Sequence, residues 1–244
     1  MSFYKDKVIV ITGATSGIGK ALAISLDKEG ANLVLCGSSS KKIEVLKNKF
    51  SKKHLILKAD LTKKTNVKKL ITNSINKFDH IDILISSAGL YEPSDIKNGN
   101  PDIWDKVIKL NINSVFRIVN LTLPNMIKNK IGDIVIISSV SGHQAIRWEP
   151  IYSATKHAIQ SFAHGLRTQV SKYNIRVISI APGIVLTELW GFDPKKHIKK
   201  IKNKIAKGDA LQTSDIVDTI KFSLSRPRNV TIRDLVILPR NQDI

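Results

Sequence analysis

Short runs of valine, isoleucine and leucine alternate with longer amphipathic segments along almost the whole chain, and this alternation limits the fold more than any other feature. The apolar runs are nearly continuous, as in strands buried on both faces of a parallel sheet. The predicted strands are residues 7–12, 32–35, 55–58, 83–86, 133–138, 176–180 and 235–238. The predicted helices are residues 18–29, 41–49, 65–77, 102–128, 151–172 and 214–224. This order favours right-handed βαβ units, and therefore an α/β fold with a doubly wound parallel sheet of about seven strands.

No linker or internal repeat interrupts the pattern, and we expect the 244 residues to form a single doubly wound domain. Residues 186–208 break the rhythm with aromatic residues followed by a lysine-rich stretch at 195–207. Ile198, Ile201 and Ile205 recur there at helical spacing, which predicts a short amphipathic helix. We expect the segment to form a mobile lid over a substrate site, with an ordinary surface helix as the alternative.

The composition excludes a disordered protein, because hydrophobic residues make up 42% of the chain. The net charge of +19 could favour binding to nucleic acid, to an anionic membrane or to an acidic substrate. The lysines, however, are spread along the chain and accompany many isoleucines and asparagines, as biased codon use would produce. We therefore expect no specific nucleic-acid partner and no membrane partner.

Cysteine content and apolar segments bear on metals and compartment. Cys36 is the single cysteine, which excludes an internal disulfide and a cysteine-based zinc site, and no metal site is predicted. The N-terminal residues lack the apolar run of a signal peptide, and no segment has the roughly 20 apolar residues of a membrane span. These features predict a soluble, cytoplasmic protein.

A glycine-rich turn follows the first predicted strand and opens the first predicted helix. It reads Thr12-Gly13-Ala14-Thr15-Ser16-Gly17-Ile18-Gly19. The free backbone N–H groups and the helix dipole at such a turn favour an anion, and the glycines allow a pyrophosphate to approach closely. The strand, turn and helix together predict a nucleotide-binding site.

The end of the second predicted strand should discriminate between NAD and NADP. An acidic residue there would bind the ribose 2′-hydroxyl of NAD, but the sequence reads Cys36-Gly37-Ser38-Ser39-Ser40-Lys41-Lys42. Small residues leave room for a 2′-phosphate, and Lys41 or Lys42 can neutralise it, so NADP is favoured. The serines can also cap the next helix. After the third strand, Asp60 and Leu61 could reach the adenine, although Asp60 could instead be an N-cap.

Tyr152 and Lys156 lie one turn apart on the same face of the predicted helix 151–172. A phenol with its usual pKa of about 10 is a poor base, and an ammonium one turn away would lower that pKa by favouring the phenolate. Ser139 follows a predicted buried strand, at the edge of the sheet where ligands bind in open α/β folds. These residues predict general acid–base chemistry beside the nucleotide.

The order and spacing of these motifs, over nearly the whole chain, resemble the short-chain dehydrogenase/reductase family. The resemblance is carried by Thr12-Gly13-x-x-x-Gly17-Ile18-Gly19, Ala88-Gly89, Asn111, Ser139, Tyr152-x-x-x-Lys156 and Pro182-Gly183-x-x-x-Thr187. It implies a Rossmann-type domain that transfers a hydride between NADP(H) and an alcohol or carbonyl substrate, with the hydride chemistry supplied by the cofactor.

The resemblance implies four catalytic positions. Tyr152 would exchange a proton with the substrate oxygen, and Ser139 would hydrogen-bond and position that oxygen. Lys156 would bind the nicotinamide ribose and keep Tyr152 acidic, while Asn111 would hold a water that links Lys156 to solvent.

The resemblance also implies the cofactor contacts. Gly13, Ser16, Gly17, Ile18 and Gly19 would surround the pyrophosphate. The other implied contacts are Gly37 and Ser38 at the 2′-position, Asp60 and Leu61 at the adenine, Ser87, Ala88 and Gly89 along the central channel, and Pro182, Gly183, Ile184 and Thr187 at the nicotinamide. Two positions depart from the pattern: Ser86-Ser87 replaces the usual Asn-Asn, and Ser16 stands where many NADP-using members carry Arg or Lys.

The segment 229–239 resembles the branch of the family that includes NADP-dependent serine and 3-hydroxy acid dehydrogenases, and that resemblance implies a homotetramer. For a 3-hydroxy acid, Arg147 or His143 is the candidate partner of the substrate carboxylate, with a solvated loop arginine as the alternative. A broad reductase of carbonyl compounds or 3-oxoacyl thioesters remains open. So does a non-catalytic, cofactor-sensing protein on the same fold.

Overall fold

The apolar runs of the sequence form a parallel sheet whose inner strands are buried on both faces. In the computed structural model, which describes residues 2–93, 95–193 and 196–243, the sheet has seven strands in the order β3-β2-β1-β4-β5-β6-β7. The strands are β1 Val8–Ile11, β2 Asn32–Gly37, β3 Leu55–Lys58, β4 Ile83–Ser86, β5 Gly132–Ile137, β6 Ile175–Pro182 and β7 Asp234–Ile237. The predicted fold class, a doubly wound Rossmann-type sheet, is confirmed.

Amphipathic helices cover the two faces of this sheet. They are α1 Gly17–Lys28, α2 Ser40–Lys49, α3 Lys64–Phe78, α4 Pro101–Ile108, α5 Ser114–Lys128, α6 Pro150–Val170, α7 Ile198–Lys207 and α8 Thr213–Leu224. Successive strand residues serve opposite faces, because Ile9 packs with α1 and α8 whereas Val10 packs with α3, α5 and α6. Each strand therefore contributes to two hydrophobic cores.

The predicted helix 102–128 is not a regular α-helix. The π-helical turn Lys109–Asn113 separates α4 from α5, so the helical path is continuous but locally widened. Such turns are common at functional sites, and this one carries Asn111. The hydrophobic pattern could not show it, because one wider turn leaves the pattern nearly unchanged.

The predicted amphipathic helix of the segment 186–208 is present as α7. Pro194 and Lys195 of that segment lie outside the described residues. Within the described ranges, none of the helices has the length and hydropathy needed to cross a membrane.

The strand order reverses between β1 and β4. From β1 the sheet continues to β2 and β3 on one side, and from β4 it continues to β5, β6 and β7 on the other. Such a reversal leaves a crevice at the carboxyl ends of the strands, where open α/β sheets bind their ligands. The turns after β1, β4, β5 and β6 all meet there, and they contain the residues that the sequence analysis selected.

Candidate active site

A cleft of about 340 Å³ opens at the carboxyl ends of the strands. Most of the predicted site residues line it, namely Gly13, Ser16, Gly17, Ile18, Ser87, Ala88, Gly89, Ser139, Tyr152, Lys156, Pro182, Gly183 and Thr187. The other predicted residues are not part of its lining among the described residues, namely Gly19, Gly37, Ser38, Asp60, Leu61, Asn111 and Ile184. One fold therefore brings together side chains from five separate stretches of the sequence.

The glycines of the first turn are required by backbone geometry. Gly13 has a φ of +67°, and a Cβ there would lie 3.0 Å from the backbone of Ala88. A Cβ on Gly19 would lie 2.6 Å from the carbonyl oxygen of Gly13, closer than atoms can approach. The turn can therefore keep its shape only with glycine at these positions.

Thr12 joins this turn to the loop after β4. Its Oγ1 accepts hydrogen bonds from the backbone N–H groups of Ser87 and Ala88, both at 3.0 Å. Ser86-Ser87 departs from the family pattern, but Thr12 still holds the loop after β4 in place.

The N-terminus of α1 already binds a carboxylate in this structure. Glu188 Oε2 accepts a hydrogen bond from the N–H of Gly17 at 3.2 Å. In the described part of the chain, the first turn of α1 contains no acidic residue, and the Ser16 side chain caps no N–H group. The residues present thus fit an anionic group such as a pyrophosphate, with the Glu188 carboxylate as its internal stand-in.

The residues at the end of β2 and the start of α2 are held by local contacts. Ser39 Oγ accepts a 3.4 Å hydrogen bond from the N–H of Lys42, so the alternative that these serines cap α2 holds for Ser39. A Cβ on Gly37 would meet the Thr15 side chain at 2.5 Å, so Thr15 covers that glycine. Lys42 lines the cleft, whereas Lys41 does not.

Asp60 is occupied by local contacts. Its Oδ1 accepts hydrogen bonds from the N–H of Thr62 at 3.0 Å and from the Thr62 hydroxyl at 2.7 Å. The alternative that Asp60 caps the next helix is wrong, because Lys63 is the N-cap of α3. The carboxylate holds the loop after β3 in place instead.

Tyr152 and Lys156 lie in the first turns of α6, beside the end of β5, and each is only 6% exposed. Lys156 Nζ donates a hydrogen bond to the carbonyl oxygen of Ile137 at 3.0 Å and lies 5.4 Å from the centre of the Tyr152 ring. The Ser139 hydroxyl lies beside the phenol of Tyr152 and lowers its pKa. The phenol, the hydroxyl and the ammonium therefore share one buried corner of the cleft.

The pKa values in this corner differ from the expectation that Lys156 acidifies Tyr152. Burial raises the pKa of Tyr152, the neighbouring Ser139 hydroxyl lowers it, and the charge of Glu149 raises it. Burial also lowers the pKa of Lys156, to about 8. Lys156 directs its ammonium at Ile137, so desolvation dominates both groups.

We expect Lys156→Met to raise the thermal stability of the protein at neutral pH. In the unfolded chain the pKa of a lysine is about 10.4, so burial of the ammonium destabilises the fold below a pH of about 8. This cost disappears as the pH rises from about 8 to about 10, where the folded protein has already lost the proton. The gain should be a few degrees at pH 7, since ~1 kcal/mol corresponds to roughly 2–4 °C in a chain of this size.

Thermal unfolding of both proteins between pH 6 and 10 measures this difference. Lys69→Met, on the exposed face of α3, is the matched control and should show no such trend. A gain for Lys156→Met that is the same at every pH would contradict the explanation by ammonium burial.

Asn111 connects the loop after β4 to α6. Its Oδ1 accepts from the N–H of Leu90 at 2.8 Å, and its Nδ2 donates to the Leu90 carbonyl oxygen at 2.9 Å and to Thr155 Oγ1 at 3.1 Å. Both amide hydrogens are used by protein groups, which leaves Oδ1 as the atom that could accept from a water. Asn111 therefore fixes the loop beside the cleft.

Two aromatic residues form one wall of the cleft. The Tyr91 ring meets Tyr152 edge to face, with centroids 5.0 Å apart, and packs on Trp190 at 4.4 Å. The sequence suggested that Trp190 is part of an apolar wall, but it gave no role to Tyr91. The position of Tyr91, two residues after Gly89, was the available signal.

The two candidate partners of a substrate carboxylate lie elsewhere. Arg147 is exposed, and among the described residues it does not line the cleft. His143 Nε2 lies 3.6 Å from Asp234 Oδ1. The geometry does not bring either cation to Tyr152.

Comparisons with known proteins place the chain in a family. Residues 7–197 match the family described as short chain dehydrogenase. An uncharacterised oxidoreductase of Staphylococcus epidermidis is 32% identical over 242 residues, which are 98% of this chain and 100% of that protein. Another, from Staphylococcus saprophyticus, is 34% identical over 247 residues and covers 100% of both chains. The chain belongs to the short-chain dehydrogenase family, and it is an oxidoreductase of that family.

Solved structures share its fold. The closed form of serine dehydrogenase complexed with NADP+ superposes with a TM-score of 0.88 at 24% identity, over 97% of this chain and 96% of that chain. Levodione reductase superposes with a TM-score of 0.84 at 26% identity, over 97% of both chains. A 3-ketoacyl-(acyl-carrier-protein) reductase from Brucella melitensis, complexed with NADH, gives a TM-score of 0.85 at 24% identity.

Proposed function

We propose that this protein interconverts an alcohol and a carbonyl compound with NADP(H), and that Tyr152 is its general acid and base. The observation that carries the proposal is the meeting of Tyr152, Ser139 and Lys156 in one cleft with a turn that binds an anion. When bound, the nicotinamide cofactor supplies or accepts the hydride.

The protein's own residues perform the remaining work. Tyr152 Oη gives a proton to the substrate oxygen in reduction and takes it back in oxidation. Ser139 Oγ, which lies beside that phenol, holds the substrate oxygen in place. Lys156, whose ammonium now bonds the Ile137 carbonyl oxygen, would hold the ribose hydroxyls of the cofactor and in that position would stabilise a phenolate at Tyr152.

Other residues that we expect to contact the cofactor lie along the cleft. The N–H groups at the start of α1 would hold the pyrophosphate after Glu188 has moved aside. Pro182, Gly183 and Thr187 follow β6 at the nicotinamide end, and Ala88 and Gly89 line the middle. Gly37, Ser38, Asp60, Leu61 and Ile184 would complete the site from outside the lining of the cleft.

The wall of the cleft favours a neutral carbonyl compound with some bulk. Tyr91, Leu189 and Trp190 present apolar surface beside Tyr152. The lysines that line the cleft, Lys42 and Lys156, lie on the side assigned to the cofactor. A broad carbonyl or 3-oxoacyl reductase is therefore supported more strongly than a 3-hydroxy acid dehydrogenase, whose carboxylate would need a cation here.

The preference for NADP rests on Lys42, and titration of NADPH and NADH by fluorescence tests it. We expect NADPH to bind at least tenfold more tightly, which is about 1.4 kcal/mol. Lys42→Ala should weaken NADPH binding by roughly tenfold and leave NADH binding unchanged, because the lysine would neutralise the 2′-phosphate. Lys41→Ala is the matched control, since Lys41 does not line the cleft. Equal binding of the two dinucleotides by the parent protein would refute the preference for NADP.

Several broader features belong to the same proposal. We treat residues 1–244 as one domain, with 186–208 as its lid, because Glu188 and Trp190 reach across to α1 and Tyr91. The rings of Phe116, which is exposed, and Phe162, which is half-buried, pack together on α5 and α6 and offer an apolar surface that a homotetramer would cover. The protein would act in the cytoplasm, where its single cysteine, the buried Cys36, stays reduced.

A further inference from the structure

A buried carboxylate stands behind the wall of the cleft. Glu149 lies at the N-terminus of α6, three residues before Tyr152, and is only 3% exposed. No role has been given to it by the motifs of the sequence. A buried carboxylate needs partners to compensate for its desolvation, and its partners here are two groups of the site.

The first partner links Glu149 to Ser139. In the 3₁₀ turn Val140–Gly142, the Ser141 hydroxyl donates to Glu149 Oε1 at 2.5 Å. Because that proton is committed, Ser141 Oγ can only accept from the Ser139 hydroxyl, which lies 3.2 Å away. The Ser141 N–H also donates to Ser139 Oγ at 3.1 Å. Ser139 therefore keeps one lone pair for the substrate side of the cleft.

The second partner links Glu149 to the aromatic wall. The Tyr91 phenol lies close enough to the Glu149 carboxylate for that charge to raise its pKa, and Trp148 adjoins the same phenol. Tyr91 in turn packs edge to face on Tyr152 and packs on Trp190. One carboxylate therefore lies beside both the Ser141–Ser139 pair and the Tyr91 ring.

We propose that Glu149 is a positioning residue for the proposed reaction: through Ser141 it turns the Ser139 hydroxyl, and through Tyr91 it holds the wall against Tyr152. The proton of Ser139 points at Ser141, so its free lone pair accepts the hydrogen of a substrate alcohol. A carbonyl oxygen accepts a hydrogen bond, so a carbonyl substrate requires the Ser139 hydroxyl to turn its hydrogen away from Ser141. Glu149 therefore favours binding of the alcohol over the carbonyl compound.

The charge of Glu149 also acts on the phenols. Burial first, and then Glu149, raises the pKa of Tyr91, and the same charge adds to the elevated pKa of Tyr152. Among the described residues, these two phenols are the titratable groups shown to face Glu149, with Lys156 beside Tyr152. Removal of the charge should therefore lower both phenol pKa values.

Glu149→Gln tests the inference, which rests on the proposed function. For the oxidation direction, the rising limb of the kcat/KM profile should move to lower pH by roughly 0.5–1 unit, as expected for the loss of one nearby charge. The KM for the alcohol should rise several-fold more than the KM for the carbonyl compound. Ser141→Ala should reproduce the change in KM without the shift in pH, and the effects of the two variants should not add.

Controls separate this inference from the proposed function. Glu44→Gln removes an exposed glutamate and should change neither readout. Ultraviolet titration of the buried phenols needs no substrate, and Glu149→Gln should lower their apparent pKa in that measurement as well. If the parent protein turns over no compound, the proposed function fails, and the titration alone decides the effect of Glu149. An unchanged pH profile, an unchanged ratio of KM values or an unchanged phenol titration would overturn the inference.

Discussion

Tyr152→Phe is expected to lower kcat for carbonyl reduction by about 10²–10⁴, the usual contribution of a general acid. The substitution removes the proton that the substrate oxygen needs, while the ring keeps its edge-to-face packing on Tyr91. The measurement is NADPH consumption with a panel of aldehydes, ketones and 3-oxo acids.

The affinity for NADPH should change less than threefold in this variant, because the pyrophosphate site at the start of α1 is untouched. Tyr173→Phe makes the same chemical change on an exposed ring and should keep full activity. If the parent protein binds NADPH and reduces nothing in the panel, the result favours the alternative of a non-catalytic, cofactor-sensing protein. If Tyr152→Phe keeps its activity, Tyr152 is not the acid.

The fold could be predicted because the inner strands of the sheet are buried on both faces. Predicted strands 55–58 and 83–86 agree with β3 and β4 at both ends, since apolar character begins and stops abruptly there. The end of β6 was placed too early, at residue 180, although the strand continues to Pro182. Pro182 can occupy the last strand position because its missing N–H costs nothing at that point.

Contacts between distant loops could not be predicted. Glu188 on Gly17, Glu149 on Ser141 and Thr12 on the loop after β4 each join segments whose approach only the folded chain defines. Spacing along one helix is easier to interpret, and it predicted that Tyr152 and Lys156 lie one turn apart on the same helix face. It could not show that the Lys156 ammonium bonds Ile137, because the direction of a long side chain depends on its acceptors.

Gly19→Ala should reduce NADPH affinity by at least about tenfold, or ~1.4 kcal/mol. The added Cβ would lie 2.6 Å from the Gly13 carbonyl oxygen and 2.9 Å from its carbon, and both are backbone atoms that cannot rotate away. Relief requires the turn after β1 to open. That movement would displace the N–H groups at the start of α1 from the pyrophosphate, and the strain should also destabilise the fold by about 1–3 kcal/mol.

Gly165→Ala provides the matched comparison, because it adds the same methyl group to a glycine of α6 where nothing lies within 4 Å. There alanine should stabilise the helix by roughly 0.5–1 kcal/mol and leave NADPH affinity unchanged. Fluorescence titration and thermal unfolding of both variants separate the two effects. Unchanged NADPH affinity in a folded Gly19→Ala variant would mean that the cofactor does not bind at this turn, and the assignment of Gly13, Ser16 and Gly17 to the pyrophosphate would fail with it.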